Sequence, residues 1–164
     1  MERLIFDTHS HYMDDAFAED RDAVLQALPE GGVALAMLAS VDAADSEQNL
    51  KLTEQYDYLL GSVGIHPENL SEHPAEELER IAALAAHKNC YAIGEIGLDY
   101  HYEDGAPRAV QREWFIRQTV PIHLVSLTKM WKPCVWLSTR QTSKAVPYGN
   151  RCICSLFIKM CLHT

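Results

Sequence analysis

Val33-Ala34-Leu35-Ala36-Met37-Leu38-Ala39-Ser40-Val41 is the stretch on which the fold turns. It is short, nearly continuous apolar sequence. A strand with one face in water alternates apolar and polar residues; a strand covered on both faces does not, and such strands are typical of parallel sheets flanked by helices. Before it, Pro29-Glu30-Gly31-Gly32 breaks a helical pattern over Asp14–Leu28, with apolar Phe17, Val24, Leu25 and Leu28 among charges. After it, Ala44–Tyr56 reads as a second helix carrying Leu50 and Leu52. Tyr58–Ile65 is a third strand. Ser71–His87 is a third helix, with Leu78, Ile81, Ala82, Leu84 and Ala85 on its apolar side and Ser71 as its cap. Cys90–Ile96 is a fourth strand, and Ala109–Gln118 a fourth helix with Val110, Trp114 and Phe115 at helical spacing. At the start, Leu4–Asp7 is a short run consistent with a buried first strand. Strands alternating with helices predict an α/β fold with a parallel sheet and right-handed crossovers. Periodicity leaves an open doubly wound sheet and a barrel both open.

The chain has 164 residues, 48% hydrophobic and 23% charged, which fits one globular domain with its own core. No apolar run reaches the length of a membrane span, and Met1–Asp7 lacks the long apolar core of a secretory leader, so no membrane partner and a cytoplasmic location are expected. Five cysteines are an odd number and argue against a disulfide scaffold. The formal charge of −9 gives no long-range attraction to nucleic acid. It leaves room for an enzyme that holds phosphates through metal ions.

Character changes after residue 118. All 23 acidic residues precede Thr119, against 8 basic ones, a net charge of −15; the remainder has 6 basic residues and no acid. Val120–Val125 and Cys152–Ile158 are the only candidate short strands there, around a Ser/Thr/Lys-rich stretch with Pro133 and Pro147. The bland reading is a basic arm. The sharper one, which we favour, is out-of-frame or fused sequence. A reading frame of ordinary composition continuing past codon 118 would support it.

Polar residues of chemical interest stand where strands end. Asp7-Thr8-His9-Ser10-His11 follows the first strand. Residues two apart in extended chain point the same way, so His9 and His11 can share one ion. A surface loop holds two such histidines as readily. Gly64-Ile65-His66-Pro67 ends the third strand, where His66 alone would be a packed loop histidine. In Gly94-Glu95-Ile96-Gly97-Leu98-Asp99-Tyr100, Glu95 sits within an apolar strand. A carboxylate is costly to bury unless it is paired or metal-bound. A salt bridge would also serve, but histidines ending another strand favour a metal. Asp99 suits a role in orienting the loop or a ligand. No G-x-G-x-x-G or P-loop follows the first strand.

These motifs, in this order and spacing, resemble the TatD-like metal-dependent deoxyribonucleases, amidohydrolase-type TIM barrels. The resemblance covers about residues 3–118, and Gln111-Arg112-Glu113-Trp114-Phe115 is similar to the family's Q-x-x-x-F helix start. It implies the first four βα units of a (β/α)₈ barrel, followed by an irregular basic tail, with the site at the C-terminal ends of the strands. It implies that His9, His11 and Glu95 bind a divalent metal, with Glu95 catalytic and bridging a second ion. It implies that His66 contacts the scissile phosphate and that Asp7 supports the histidines from behind. Histidine and carboxylate ligands suit zinc, manganese, iron or nickel, and magnesium less well, without distinguishing them. The implied substrate is DNA or another phosphodiester.

The family's further ligands, two histidines and an aspartate, belong to its second half, and residues 119–164 contain no Asp. Lys132-Pro133-Cys134-Val135 and Ser138-Thr139-Arg140 echo family segments without a histidine between them, and we place no ligand at His123. Truncation is therefore expected to impair activity. The open sheet edges of four βα units predict self-association. An inactive metal-binding fragment, a related amidohydrolase and a small α/β binding module are the competing readings.

Overall fold

The structure is a computed structural model that describes residues 5–70, 75–128 and 156–161. Strands β1 (Ile5–Ser10), β2 (Val33–Leu38), β3 (Leu59–Val63) and β4 (Cys90–Asp99) alternate with helices α1 (Arg21–Ala27), α2 (Ala43–Thr53), α3 (Glu77–Leu84) and α4 (Arg108–Thr128), and β5 (Leu156–Cys161) follows. All neighbouring strands are parallel, in the order β1-β2-β3-β4-β5. An open doubly wound sheet reverses its strand order at a switch point. This sheet never reverses, which is the order of a barrel, and four βα units make a half-barrel.

The apolar run that opens the sequence behaves as its composition requires. Ala36 and Leu38 pack with Leu25, Leu52 and Leu59 on one face, and Met37 packs with Leu60 and Ala92 on the other. All three β2 residues are essentially solvent-free. The larger cluster lies under α2–α4, where Leu50, Val63, Ile65, Leu78, Ile81, Ile93, Ile96 and Trp114 meet.

Four local expectations are corrected. The first strand is not buried: Ile5 and Phe6 are 47% and 48% exposed, because β1 is the sheet's edge and pairs only with β2. The first helix is split into a 3-10 turn at Asp15–Phe17 and α1, because the Asp14 carboxylate caps the turn and Arg21 donates to the Tyr12 and Met13 carbonyls. Val120–Val125 is not a strand but part of α4. Its apolar spacing suits either period, and extending an existing helix needs no new nucleus. The strand expected at Cys152–Ile158 is found at Leu156–Cys161, where β5 pairs the edge of β4 that we expected to be open. Leu4, Ser71, Lys132–Val135, Ser138–Arg140, Cys152 and Cys154 lie outside the described residues.

Candidate metal centre

Glu95 is placed by the main chain before its side chain does anything. Its N–H donates to Ser40 O at 2.6 Å, and the Gly94 carbonyl accepts from Ser62 Oγ at 2.8 Å. Ser40 in turn donates to Ser62 O, and Asn49 Nδ2 donates to Ser40 Oγ. These side chains are all buried, so the middle of β4 at Gly94-Glu95 is tied to the ends of β2 and β3 by a polar network. Gly64 allows the close approach: a Cβ there would stand 2.8 Å from Gly94 C and 2.9 Å from Glu95 O.

The side chain then meets three histidines. Glu95 Oε1 lies 2.6 Å from His9 Nε2 and 3.9 Å from His11 Nε2, and Oε2 lies 3.6 Å from His66 Nε2. The His9 and His11 Nε2 atoms are 3.0 Å apart. The Glu95 side chain is 6% exposed, whereas those of His9 and His11 are 39% and 40% exposed. Burial pushes the Glu95 carboxyl up, but the contact with His9 and the charges available on His9, His66 and His11 outweigh it, and the net shift is downward. Glu95 is therefore a carboxylate at neutral pH.

The donor set fits a cation. One ligand atom each from His9, His11 and Glu95 lies within 4.8 Å of the others, the one such group of three among the described residues. Glu95 Oε1 is buried yet accepts no hydrogen bond of proper geometry, although two ring nitrogens converge on it. Two imidazole nitrogens and one carboxylate oxygen are a donor set that zinc, manganese, iron and nickel accept.

The remaining expected residues fall around this group. Asp7 Oδ1 accepts from His9 N at 3.1 Å and Oδ2 from the Tyr12 hydroxyl at 3.4 Å, so it holds the strand that carries the histidines. His66 is buried; its Nδ1 accepts from Glu68 N at 3.3 Å and stands 3.6 Å from Glu68 Oε2, while its Nε2 faces Glu95 Oε2 at 3.6 Å. Asp99 is further out: its carboxylate accepts from His101 N at 2.9 Å and its main chain is held by Gln111. Sequence reasoning missed Ser40, Ser62, Asn49 and Gln118. It also missed Asp45, on the first turn of α2. Burial pushes the Asp45 carboxyl up; a hydrogen bond from Val41 N–H opposes this, and the charge of Asp42 adds to it. His11 and Glu95 also act on it electrostatically, which sets Asp45 beside the site.

The sequence profile of TatD related DNase matches residues 6–121.

The chain belongs to the TatD related DNase family.

Among family relatives, the uncharacterized metal-dependent hydrolase YabD of Bacillus subtilis is 31% identical over 70% of this chain and 45% of its own length. The 3'-5' ssDNA/RNA exonuclease TatD of Escherichia coli is 32% identical over 66% of this chain and 42% of its own. The crystal structure of YJJV, a TATD homolog from Escherichia coli K12, superposes with a TM-score of 0.70 at 27% identity, over 77% of this chain and 49% of that one. The chain thus spans less than half the length of each of these three relatives. No helix among the described residues is long and apolar enough to cross a membrane.

Proposed function

We propose that residues 1–118 are the N-terminal half of a TatD-type metal-dependent hydrolase, that His9, His11 and Glu95 hold its divalent ion, and that the substrate is a single-stranded DNA or RNA phosphodiester. The observation that carries this is the convergence of His9 Nε2, His11 Nε2 and the buried, ionised Glu95 at one point on the rim of the sheet. The substrate class is what the relatives of that name act on. The work is cytoplasmic in this reading, and residues 119–164 are an atypical tail whose first part, to Thr128, continues α4 and whose Leu156–Cys161 strand pairs with β4.

Each residue has a defined task. Glu95 would hold the divalent ion together with His9 and His11, to which it brings a full negative charge from a buried position. His9 and His11 supply imidazole nitrogens from the end of β1 and the residue just past it. Asp7 holds His9 through its main-chain N–H and so braces the segment that carries both histidines. His66, whose Nε2 faces Glu95, can donate a ring N–H to a phosphate oxygen entering beside the carboxylate. The ion, when bound, supplies Lewis acidity toward a phosphoryl oxygen and lowers the pKa of a water in its shell.

Incubating the protein with an end-labelled single-stranded oligonucleotide and Mn²⁺ tests the reading. Degradation that needs the metal and disappears in His9→Ala is the expected result. Retained metal without degradation would reduce the claim to a metal-binding half-barrel whose chemistry needs further residues. The exposed Ile5 and Phe6 on the β1 edge favour self-association as well. A concentration-independent monomer in sedimentation would count against that part.

A further inference from the structure

Gln111 and Gln118 lie seven residues apart on α4, hence on one face of the helix. They are 2% and 1% exposed. A buried primary amide needs partners for both its oxygen and its nitrogen, and here the partners are main chain. Gln118 Oε1 accepts from Ile65 N at 2.7 Å while its Nε2 donates to Ile65 O at 3.0 Å. Gln111 treats Asp99 in the same way, at 2.8 and 2.7 Å, and donates also to Ala106 O at 2.8 Å. An amide that meets the N–H and the C=O of one residue makes the exchange that a neighbouring strand would make.

What each glutamine holds differs. Ile65 lies beyond Val63↔Ile93, the last β3–β4 pair, and it immediately precedes His66. The His66 main chain donates to Val41 O at 2.8 Å, its Nδ1 accepts from Glu68 N, and its Nε2 faces Glu95 Oε2 at 3.6 Å. Gln118 is therefore the link between the α4 core and the ring that stands against Glu95. Gln111 holds the outer end of β4 and the loop to Ala106, with no site histidine beside it.

We propose that Gln118 is a positioning residue of the metal centre, which by pairing with both backbone groups of Ile65 fixes the His66 ring and, through it, the orientation of Glu95. The part that concerns metal rests on Glu95 being a ligand. Gln111 is the built-in control, with the same residue type, helix, burial and pairing with both backbone groups of one residue, plus one further bond to Ala106 O.

The test uses the full chain. In metal-free ¹⁵N-labelled protein at about pH 8.5, above the usual histidine range, imidazole nitrogen shifts report the tautomer. Wild-type His66 is expected to hold the Nε2–H form alone. Gln118→Met should give mixed tautomers, and Gln111→Met should leave the signal unchanged although both variants melt earlier. In a Mn²⁺ titration Gln118→Met should lose about tenfold in affinity, the low end of what outer partners of metal ligands contribute. Gln111→Met should bind as wild type does. If Gln118→Met fails to fold, Gln118→Glu keeps the bond from Ile65 N–H and loses the one to Ile65 O, and a mixed tautomer is again expected. An unchanged His66 tautomer in the folded Gln118 variant, or an equal change in Gln111→Met, overturns the proposal. A wild type that takes up no Mn²⁺ defeats the metal reading instead, and the tautomer comparison still decides the role of Gln118.

Discussion

β1 and the residue that follows it bring two histidines to the site from an edge half in water, while β4 brings one carboxylate from inside the sheet. His9 shares its strand with the exposed Ile5 and Phe6, and His11 stands one residue past its end. Glu95 stands on a main chain tied to β2 and β3 through Ser40 and Ser62. The difference follows from the cost of each group. An imidazole at a wet edge loses little hydration, so its placement needs fewer fixed partners. A buried carboxylate loses much, and is tolerated only where fixed partners compensate it. The two sides should therefore respond differently to substitution: the β4 side in both folding and metal affinity, the β1 side in affinity alone.

Replacing the carboxylate should have the largest effect. Glu95→Gln should weaken Mn²⁺ binding by more than the about 100-fold that outer partners at most contribute, read by calorimetric titration. A variant that binds within that limit would break the distinction between the sides. Gly64→Ala comes next. Its Cβ would meet backbone at 2.8 Å, and backbone cannot swing aside as a side chain can. We expect a loss of about 1–3 kcal/mol in urea unfolding, as for other overpacked sites. Wild-type stability would show that the β4 side is not rigid.

Asp7→Asn sharpens the opposite side. Mn²⁺ affinity should fall about tenfold with an unchanged melting temperature, and a large drop in melting temperature would place Asp7 in the fold rather than the site. The smallest effect belongs to Tyr58, at the far end of β3. Its hydroxyl donates to Leu25 O, and burial pushes its pKa up to about 12 from an ordinary 10.0. The fold favours the neutral phenol, so this contribution is whole below pH 10 and is lost as pH rises toward 12. Tyr58→Phe should flatten the stability profile in that window and leave metal binding alone. An unaltered alkaline slope would contradict the assignment.

The alternation of strands and helices was legible because each apolar run had a length and a period of its own. His9, His11 and Glu95 stood out because polar residues at strand ends break such a pattern. The exposure of Ile5 and Phe6 was not legible, since an edge strand and a buried one can share a composition. Val120–Val125 fits both helix and strand periods, and only the preceding helix decides between them. Ser40, Ser62 and Asn49 look like surface residues in one dimension; their burial depends on partners 9 to 32 residues away. Gln118 left one trace, its seven-residue spacing from Gln111, which marks a shared helix face but not a buried one.

The most direct test asks whether both sides close on one ion. Pulsed electron paramagnetic resonance of Mn²⁺ bound to the full chain detects coupling to ligand ¹⁴N nuclei. Two histidine nitrogens are predicted in the wild type, one in His11→Ala, and no bound Mn²⁺ in Glu95→Gln. Bound Mn²⁺ without nitrogen coupling, or coupling unchanged in His11→Ala, would contradict the assignment of His9, His11 and Glu95 as one metal centre.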